Sequence, residues 1–185
     1  LTSLNIPSSV TSIGNASFRS NNIGSVIIPS SVSYLGIGAF FSNELTTAII
    51  PNSISSIEAN TFRGNNLSSI VIPSSVTSIG HDAFFDNNLT SIIIPNSVTV
   101  IGDRAFKQNN LTSVSFEGDR PTIGLEVFFV NPLLTIFYNS TTTGWPGSDI
   151  AGITPTVSAI MSSPTAVPTL PHVFLVMLSL CMGLV

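Results

Sequence analysis

The feature that most constrains the fold of this chain is a repeat of 22 residues. One proline, one phenylalanine and one asparagine recur with this period at independent positions of the repeat. The Ile-Pro pairs begin at Ile6, Ile28, Ile50, Ile72 and Ile94. The phenylalanines are Phe18, Phe40, Phe62, Phe84, Phe106 and Phe128, and the asparagines are Asn21, Asn43, Asn65, Asn87, Asn109 and Asn131. A sustained period of this length is typical of solenoids, in which each repeat forms one coil and buries its apolar side against its neighbours.

Each copy also has an internal pattern that predicts its local structure. Apolar residues occupy the first, fourth and sixth places, as in Leu67, Ile70 and Ile72, which is the spacing of a leucine-rich repeat strand. Proline ends the strand because it cannot donate to the sheet. A second extended piece with inward Val76 and Ile79 follows. We therefore predict a repeat solenoid, a leucine-rich repeat right-handed coil with a parallel β-sheet on one face and short extended segments and 3-10 or helical turns on the other.

Glycine recurs shortly after the second extended piece and predicts a corner of the coil. The row consists of Gly14, Gly36, Gly80, Gly102 and Gly124, and only Glu58 interrupts it. Two explanations are open. If the corner needs a positive φ, which glycine adopts readily, the third coil is strained at Glu58. If φ is ordinary there, the glycines serve to let adjacent coils pack closely.

The two most regular rows receive structural roles. We expect the phenylalanines, each within a turn such as that of Ala83-Phe84, to point inward as the large core residues. An asparagine side chain offers one acceptor and two donors, so the asparagines are predicted to satisfy backbone groups of the turn that closes each coil. The alternative for the asparagines is a row of ligand-binding amides.

The segment from Leu89 to Phe106, with its Pro, Gly, Ala-Phe and Asn at fixed offsets, resembles the BspA-like class of leucine-rich repeat proteins. The resemblance covers about residues 1–147. It implies a secreted or cell-surface protein, mostly found in bacteria, with several members acting in adhesion or protein binding, and it implies no single ligand. The segment from Phe116 to Gly147 resembles the closing unit of such arrays, where Trp145 would cover the last coil.

These patterns divide the chain into three parts. Residues 1–147 form the predicted solenoid, as six 22-residue repeats over 1–132 and a closing unit over 133–147. Residues 148–171 are a Ser/Pro/Thr-rich linker, and residues 172–185 are a hydrophobic tail. The segment Val167–Pro171 resembles a bacterial Pro-Thr-Leu sorting motif, so the tail is interpreted as a truncated membrane or sorting segment. The alternative is a fragment end without a role of its own.

Composition excludes several classes of function. The 185 residues include only 5 Lys and Arg against 9 Asp and Glu, for a formal net charge of −4. Five scattered cations cannot form the basic stripe that nucleic acid needs, so no nucleic-acid partner is expected. The single cysteine, Cys181, rules out an internal disulfide framework.

No catalytic, cofactor or metal site is predicted, and the chain is interpreted as not being an enzyme. Its two histidines, His81 and His172, lie in different regions and have no evident base or second ligand. Stacking of the coils would place Asp103 beside His81, and we interpret these two residues as an exposed surface pair.

The outward positions of the strand give the candidate interaction face. An aliphatic row is bordered by hydroxyl residues, and such extended surfaces are common binding sites of repeat proteins. The alternative is that β-branched residues merely strengthen the sheet. The face consists of Ile27, Ile49, Val71 and Ile93 with Thr46, Thr47, Ser68, Ser69, Thr90 and Ser91.

Two further ladders are expected on the opposite, convex side, where they would improve register. Arg19, Phe41, Arg63, Phe85, Lys107 and Phe129 alternate cation and ring, and Asp82, Arg104 and Glu126 alternate in sign.

The predicted function is a non-enzymatic extracellular or cell-surface protein, of bacterial type, that binds an unidentified protein or glycan and possesses a possible membrane anchor in its tail. The alternative is a structural spacer that displays another domain. A third hypothesis, binding to an ordered solid such as ice, fits less well because the outward rows mix Thr, Ser, Gly and Ile.

Overall fold

The structure is a computed structural model that describes residues 1–132, 134–139, 142–145 and 158–160. Twelve short strands make up its regular structure, and they wind into successive coils of 22 residues, the first being residues 1–22 and the sixth residues 111–132. All strand pairs are parallel, and between repeats the paired residues are generally 22 positions apart, as with Ser25 and Thr47. The chain is therefore a parallel β-solenoid, as the repeat predicts.

Strands near the start of the second, third, fifth and sixth coils, together with β11 and β12, form a front sheet. This sheet has two parts, because residues 68–72 of the fourth coil form no strand. The first part pairs β2 with β4, and the second has the order β12-β11-β9-β7. The strands are β2 (Ser25–Ile27), β4 (Thr47–Ile49), β7 (Ser91–Ile94), β9 (Ser113–Phe116), β11 (Thr135–Asn139) and β12 (Ser158–Ile160).

The second extended piece of each coil forms a sheet of its own, which we call the side sheet. It is also in two parts, β1-β3 and β10-β8-β6-β5. The strands are β1 (Ser12–Ile13), β3 (Tyr34–Leu35), β5 (Ser56–Ile57), β6 (Ser78–Ile79), β8 (Val100–Ile101) and β10 (Thr122–Ile123).

The proline that ends the first extended piece in the first five coils closes a tight turn between the two sheets. Its carbonyl oxygen accepts a hydrogen bond from the amide three residues later, as from Val76 to Pro73 at 3.0 Å. Val76 and Ile79 then point into the core, where their side chains are no more than 1% exposed. The repeated proline thus fixes the angle at which the chain passes from the front sheet to the side sheet.

The glycine row serves close packing and not a positive φ. None of its five members has a positive φ. At Gly80 a Cβ atom would lie 2.6 Å from the backbone nitrogen of Ala59 in the preceding coil, and Gly102 has the same relationship to His81. The first of the two explanations from the sequence is therefore wrong, and the second describes the corner.

Glu58 marks the place where the side sheet is interrupted. Gly36, Gly80, Gly102 and Gly124 each donate a backbone hydrogen bond to the preceding coil, but the described backbone has no such bond from Glu58 to Leu35. We attribute the interruption between β3 and β5 to the Cβ of Glu58, since glycine occupies this position in the neighbouring coils.

The Ala-Phe corner consists of hydrogen-bonded turns. The prediction of a helical or 3-10 turn at this corner is wrong, because the described residues include no helix of either kind. Two positions of each coil adopt a positive φ, which interrupts any helical run. Ten non-glycine residues do so, with φ between 53° and 59°, and Gly38 and Gly64 occupy the remaining two places in the six coils. Their amides donate to the following coil, as from Asp82 to Asp103 at 3.0 Å.

The core contains a single file of six phenylalanine rings along the solenoid axis. Neighbouring ring centroids are 5.3 to 5.8 Å apart, with interplanar angles of 6° to 13°. Phe18, in the first coil, is partly buried, whereas the other five are 0–1% exposed. The file joins every coil to the next through the largest side chains of the repeat.

Trp145 packs at the C-terminal end of this core. Its ring stacks on Tyr138, with centroids 4.8 Å apart, and tilts against Phe116 at 4.7 Å. Its Nε1 donates to the carbonyl oxygen of Gly118 at 3.3 Å.

Most of the predicted linker and the whole hydrophobic tail lie outside the described residues. The exception in the linker is Ser158–Ile160, which forms strand β12 beside β11. The sorting motif Val167–Pro171 and Cys181 are also outside.

Candidate functional site

The candidate interaction face forms the outer surface of the front strands, and we call it the front face. Side chains alternate along each strand, so that in β7 Ile92 and Ile94 are buried while Ser91 and Ile93 point outward. The same alternation in the other coils brings equivalent residues into columns.

All ten residues of the candidate face are exposed. The aliphatic row is the most prominent part, with exposed fractions of 67% for Ile27, 57% for Ile49, 80% for Val71 and 49% for Ile93. The six Ser and Thr residues border this row on the same face. The predicted residues thus form one strip along successive coils, and this strip crosses the interruption of the front sheet at residues 68–72.

The hydroxyl groups of the strip are largely available to a partner. Thr46 Oγ1 donates to the carbonyl oxygen of Gly24 at 3.2 Å, which ties two coils together. The other five hydroxyls, on Thr47, Ser68, Ser69, Thr90 and Ser91, make no hydrogen bond within the described part of the chain. Each can donate or accept one when a ligand arrives.

The front face carries no charge over five consecutive coils. The segments 24–27, 46–49, 68–71, 90–93 and 112–115 contain no Asp, Glu, Lys or Arg. The described charged residues lie at the edges, on the closing unit and on the corner opposite, which we call the back ridge. The front face therefore offers only apolar contact and neutral hydrogen bonds.

The asparagine row lies inside the coils and not on a binding surface. Asn43, Asn65, Asn87 and Asn109 are 5–7% exposed. In the fourth coil, Asn87 Nδ2 donates to the carbonyl oxygens of Phe62 at 2.9 Å and Phe84 at 3.3 Å, and its Oδ1 accepts from the amide of Leu67 at 3.1 Å. Both the acceptor and the amino group are therefore engaged with backbone, which leaves little capacity for a ligand.

The back ridge contains the predicted cation and ring ladder. The guanidinium carbon of Arg19 lies 4.5 Å from the ring centroid of Phe41, and that of Arg63 lies 5.5 Å from Phe41 and 4.6 Å from Phe85. Lys107 Nζ lies 4.9 Å from the centroid of Phe129. The cations stack on the rings between coils, so these contacts stabilise register.

Asp82 lies at the centre of a charged cluster on the back ridge, of which the sequence predicted the pair with Arg104 but not the pair with Arg63. Its side chain is 2% exposed and pairs with Arg63 Nη1 of the preceding coil at 3.1 Å and with Arg104 Nε of the following coil at 3.0 Å. The hydrogen bond to Asp82 raises the pKa of Arg104 above its ordinary value, so this guanidinium keeps its charge. The cluster therefore bridges three coils.

The side chains of the back ridge have partners beyond the predicted pairs. His81 Nε2 lies 3.0 Å from Asp82 Oδ2 and 2.7 Å from Arg104 Nη2, while Asp103 Oδ1 accepts from the amide of Leu125 at 2.8 Å. In the sign-alternating ladder Asp82 does pair with Arg104, but Glu126 pairs with Lys107 at 2.7 Å. Ion pairs here can run diagonally between coils, a relationship that a column of equivalent residues does not reveal.

Membrane insertion has no candidate in the described part of the chain, where no helix has the length and apolar character required to cross a bilayer.

Comparison with known proteins identifies the repeat. The family model described as "BspA type Leucine rich repeat region" matches in six copies, over residues 1–112 and 55–145. No curated protein matches the chain. A solved leucine-rich repeat protein from Bacteroides ovatus ATCC 8483 is similar, with 21% sequence identity and a TM-score of 0.49 over 72% of this chain and 48% of that one. The chain spans about half the length of that protein.

Proposed function

This chain belongs to the BspA-type leucine-rich repeat family, and from that premise we propose that it is a non-enzymatic interaction protein that binds a protein partner through its front face. A neutral glycan is the other ligand class that the hydroxyl rows would suit. The proposed location is extracellular or at the cell surface of a bacterium, as the resemblance to this family implies, and adhesion is the proposed biological role.

One observation carries the proposal, namely the exposed aliphatic row beside a row of hydroxyls, five of which have no partner within the described part of the chain. A solvated sheet face that is purely structural normally alternates polar residues outward. Here Val71 is 80% exposed and Ile27 is 67% exposed, and they belong to one strip. A contiguous exposed apolar strip rimmed by polar groups is the usual mark of an interaction surface.

The proposal is tested with a variant that removes only the apolar part of the strip. The bait is Ile49→Ser/Val71→Ser/Ile93→Ser, compared with the native chain in a pull-down from the surface-protein fraction of the native cell. A matched control, Ile37→Ser/Val100→Ser/Leu125→Ser, changes three residues that are 46%, 44% and 75% exposed away from the front face. Circular dichroism checks that all three proteins fold.

We expect proteins captured by the native chain and by the control to be lost from the front-face variant. Capture of the same proteins by all three folded baits would contradict the proposal. If instead the front-face variant fails to fold and no bait captures anything, the aliphatic row serves the sheet and not a partner.

The second candidate function is a spacer that displays another domain. The observation that favours it is the continuity of the structure along its axis, because the phenylalanine file and the asparagine bonds link every coil to the next. A spacer does not bind through the front face, so the native chain and the triple serine variant would give the same result in the pull-down. The same experiment therefore separates the two candidates.

A further inference from the structure

We infer that the partner of the front face is a second copy of this chain, bound face to face about a two-fold axis parallel to the solenoid axis. This inference rests on the proposed function, because it names the partner of the same surface.

The repeat distance of the front face restricts what can match it. Equivalent residues recur once per coil, and parallel strands lie about 4.8 Å apart. A partner with the same spacing repeats each favourable contact at every coil. A surface with another spacing makes that contact at one coil and loses it at the next ones. A second copy of the front face has the required spacing by construction.

The relief of the front face is complementary to itself. In the second to fifth coils a small hydroxyl side chain is followed, two residues later, by a large exposed aliphatic side chain, as with Thr47 and Ile49. A two-fold axis along the solenoid, between these rows, places the aliphatic row of one copy over the hydroxyl row of the other at the same coil. Ile49 would then contact Thr47 of the second copy, and Ile93 would contact Ser91 of the second copy.

The absence of charge on the front face favours the same partner. A charged group docked on it would lose hydration and gain no counter-charge, because segments 46–49, 68–71 and 90–93 contain none. The second copy brings only apolar groups and neutral hydroxyls. Those hydroxyls can bond to one another across the contact.

The size of the face sets the expected strength. Five coils of about 4.8 Å and a strand of about five residues give a face of about 24 Å by about 16 Å, or about 400 Å² per copy. A contact of this size is at the weak end of specific protein interfaces. We therefore expect reversible dimers with a Kd of about 10 µM to 1 mM.

Sedimentation equilibrium of the full chain tests the inference, with Val71→Asp as the disrupting variant. Val71 is at the middle of the aliphatic row. Val100→Asp is the matched control, because Val100 is also an exposed valine, but on the side sheet. We expect the native chain and the control to dimerise and Val71→Asp to raise the Kd at least tenfold. Circular dichroism verifies folding, and Val71→Ser replaces the aspartate variant if that variant unfolds.

Cysteine cross-linking tests the geometry in a Cys181→Ser background. Equal amounts of Thr47→Cys and Ile49→Cys chains are mixed and oxidised. The two-fold axis predicts that the mixed disulfide between positions 47 and 49 forms in excess over either self-pair. A statistical mixture of pairs would overturn the arrangement.

The results separate this inference from the function on which it rests. A native chain that stays monomeric at 1 mM, or a Val71→Asp chain that associates as the native chain does, overturns the second copy as partner. If the pull-down still distinguishes the front-face variant in that case, the proposed function stands with a different partner. Dimers that Val71→Asp alone dissociates support the inference.

Discussion

The side-chain nitrogen Nδ2 of Asn87 lies 2.9 Å from the carbonyl oxygen of Phe62, a residue of the preceding coil. The equivalent asparagines make the same bond, at 2.7 to 3.1 Å, along the described coils. Each of these side chains therefore holds its own turn and the turn before it together. This relationship gives the asparagine row a measurable role.

Asn87→Ala is expected to destabilise the fold by at least about 2 kcal/mol, because it leaves buried backbone groups without partners. Asn88→Ala is the matched control, since Asn88 is the next residue, is exposed and makes no side-chain bond within the described part of the chain. That change is expected to stay within about 0.5 kcal/mol. Urea denaturation measures both, and equal effects would contradict the structural role of Asn87.

Phe84→Ala is expected to cost about 3–5 kcal/mol, because it leaves a cavity in the middle of the stacked file. Phe129→Ala, which removes a ring that is 52% exposed and contacts Lys107, is expected to cost about 1 kcal/mol or less. Denaturation free energies compare the two. A loss at Phe84 as small as that at Phe129 would mean that the file is not the core.

Three Gly→Ala changes distinguish glycines that allow close packing from glycines that allow a positive φ. At Gly80 the new Cβ would lie 2.6 Å from the backbone nitrogen of Ala59, and we expect a loss of at least about 2 kcal/mol. At Gly64 the φ of 64° is the only obstacle, since the nearest atom is 3.8 Å away, and we expect about 1 kcal/mol. Gly24 has no neighbour within 4 Å and should change by less than about 0.5 kcal/mol. Thermal unfolding gives the order, and a loss at Gly24 equal to that at Gly80 would refute it.

Asp82→Asn is expected to destabilise the fold by about 1–2 kcal/mol at neutral pH, since it removes a buried carboxylate from two partly exposed arginines. Asp86→Asn is its control, because Asp86 belongs to the same coil, also has a positive φ and is exposed. Asparagine tolerates this backbone conformation, so neither change adds strain. Denaturation measures the free energy of unfolding of both variants, and that of Asp86→Asn should stay near the native value. An unchanged free energy for Asp82→Asn would show that the cluster does not stabilise the fold.

The sequence predicts the core and the front face because both follow from the period alone. A fixed spacing of 22 residues makes each column chemically uniform, and only one arrangement buries Phe84 and its equivalents while Val71 and its equivalents face solvent. The inward and outward sides of the strand follow from the two-residue alternation. Both results are independent of the details of any one turn.

The conformation of the corner was not predictable in the same way. The residues with positive φ follow the glycine row by two and six positions, and they include types as different as Arg104 and Val130. Glycine marks this conformation only at Gly38 and Gly64. Hydrogen bonds between coils impose this conformation, so the residue types at these positions do not predict it.

Two ion pairs of the back ridge escaped prediction for a geometric reason, whereas the pair of Asp82 with Arg104 did not. The pairs Arg63–Asp82 and Lys107–Glu126 are 19 residues apart, so they connect different positions of adjacent repeats. A column of residues 22 apart shows only the partner directly above. A long side chain at a corner also reaches the neighbouring column.

The most direct test of the account is a crystal structure of the chain, in which the separations of the phenylalanine ring centroids are measured. We expect one interior file of rings with centroids 5.3 to 5.8 Å apart, and Val71 exposed on the front face. The rings are those of Phe18, Phe40, Phe62, Phe84, Phe106 and Phe128. Rings scattered over several faces, or Val71 buried in the core, would contradict both the solenoid register and the front face derived from it.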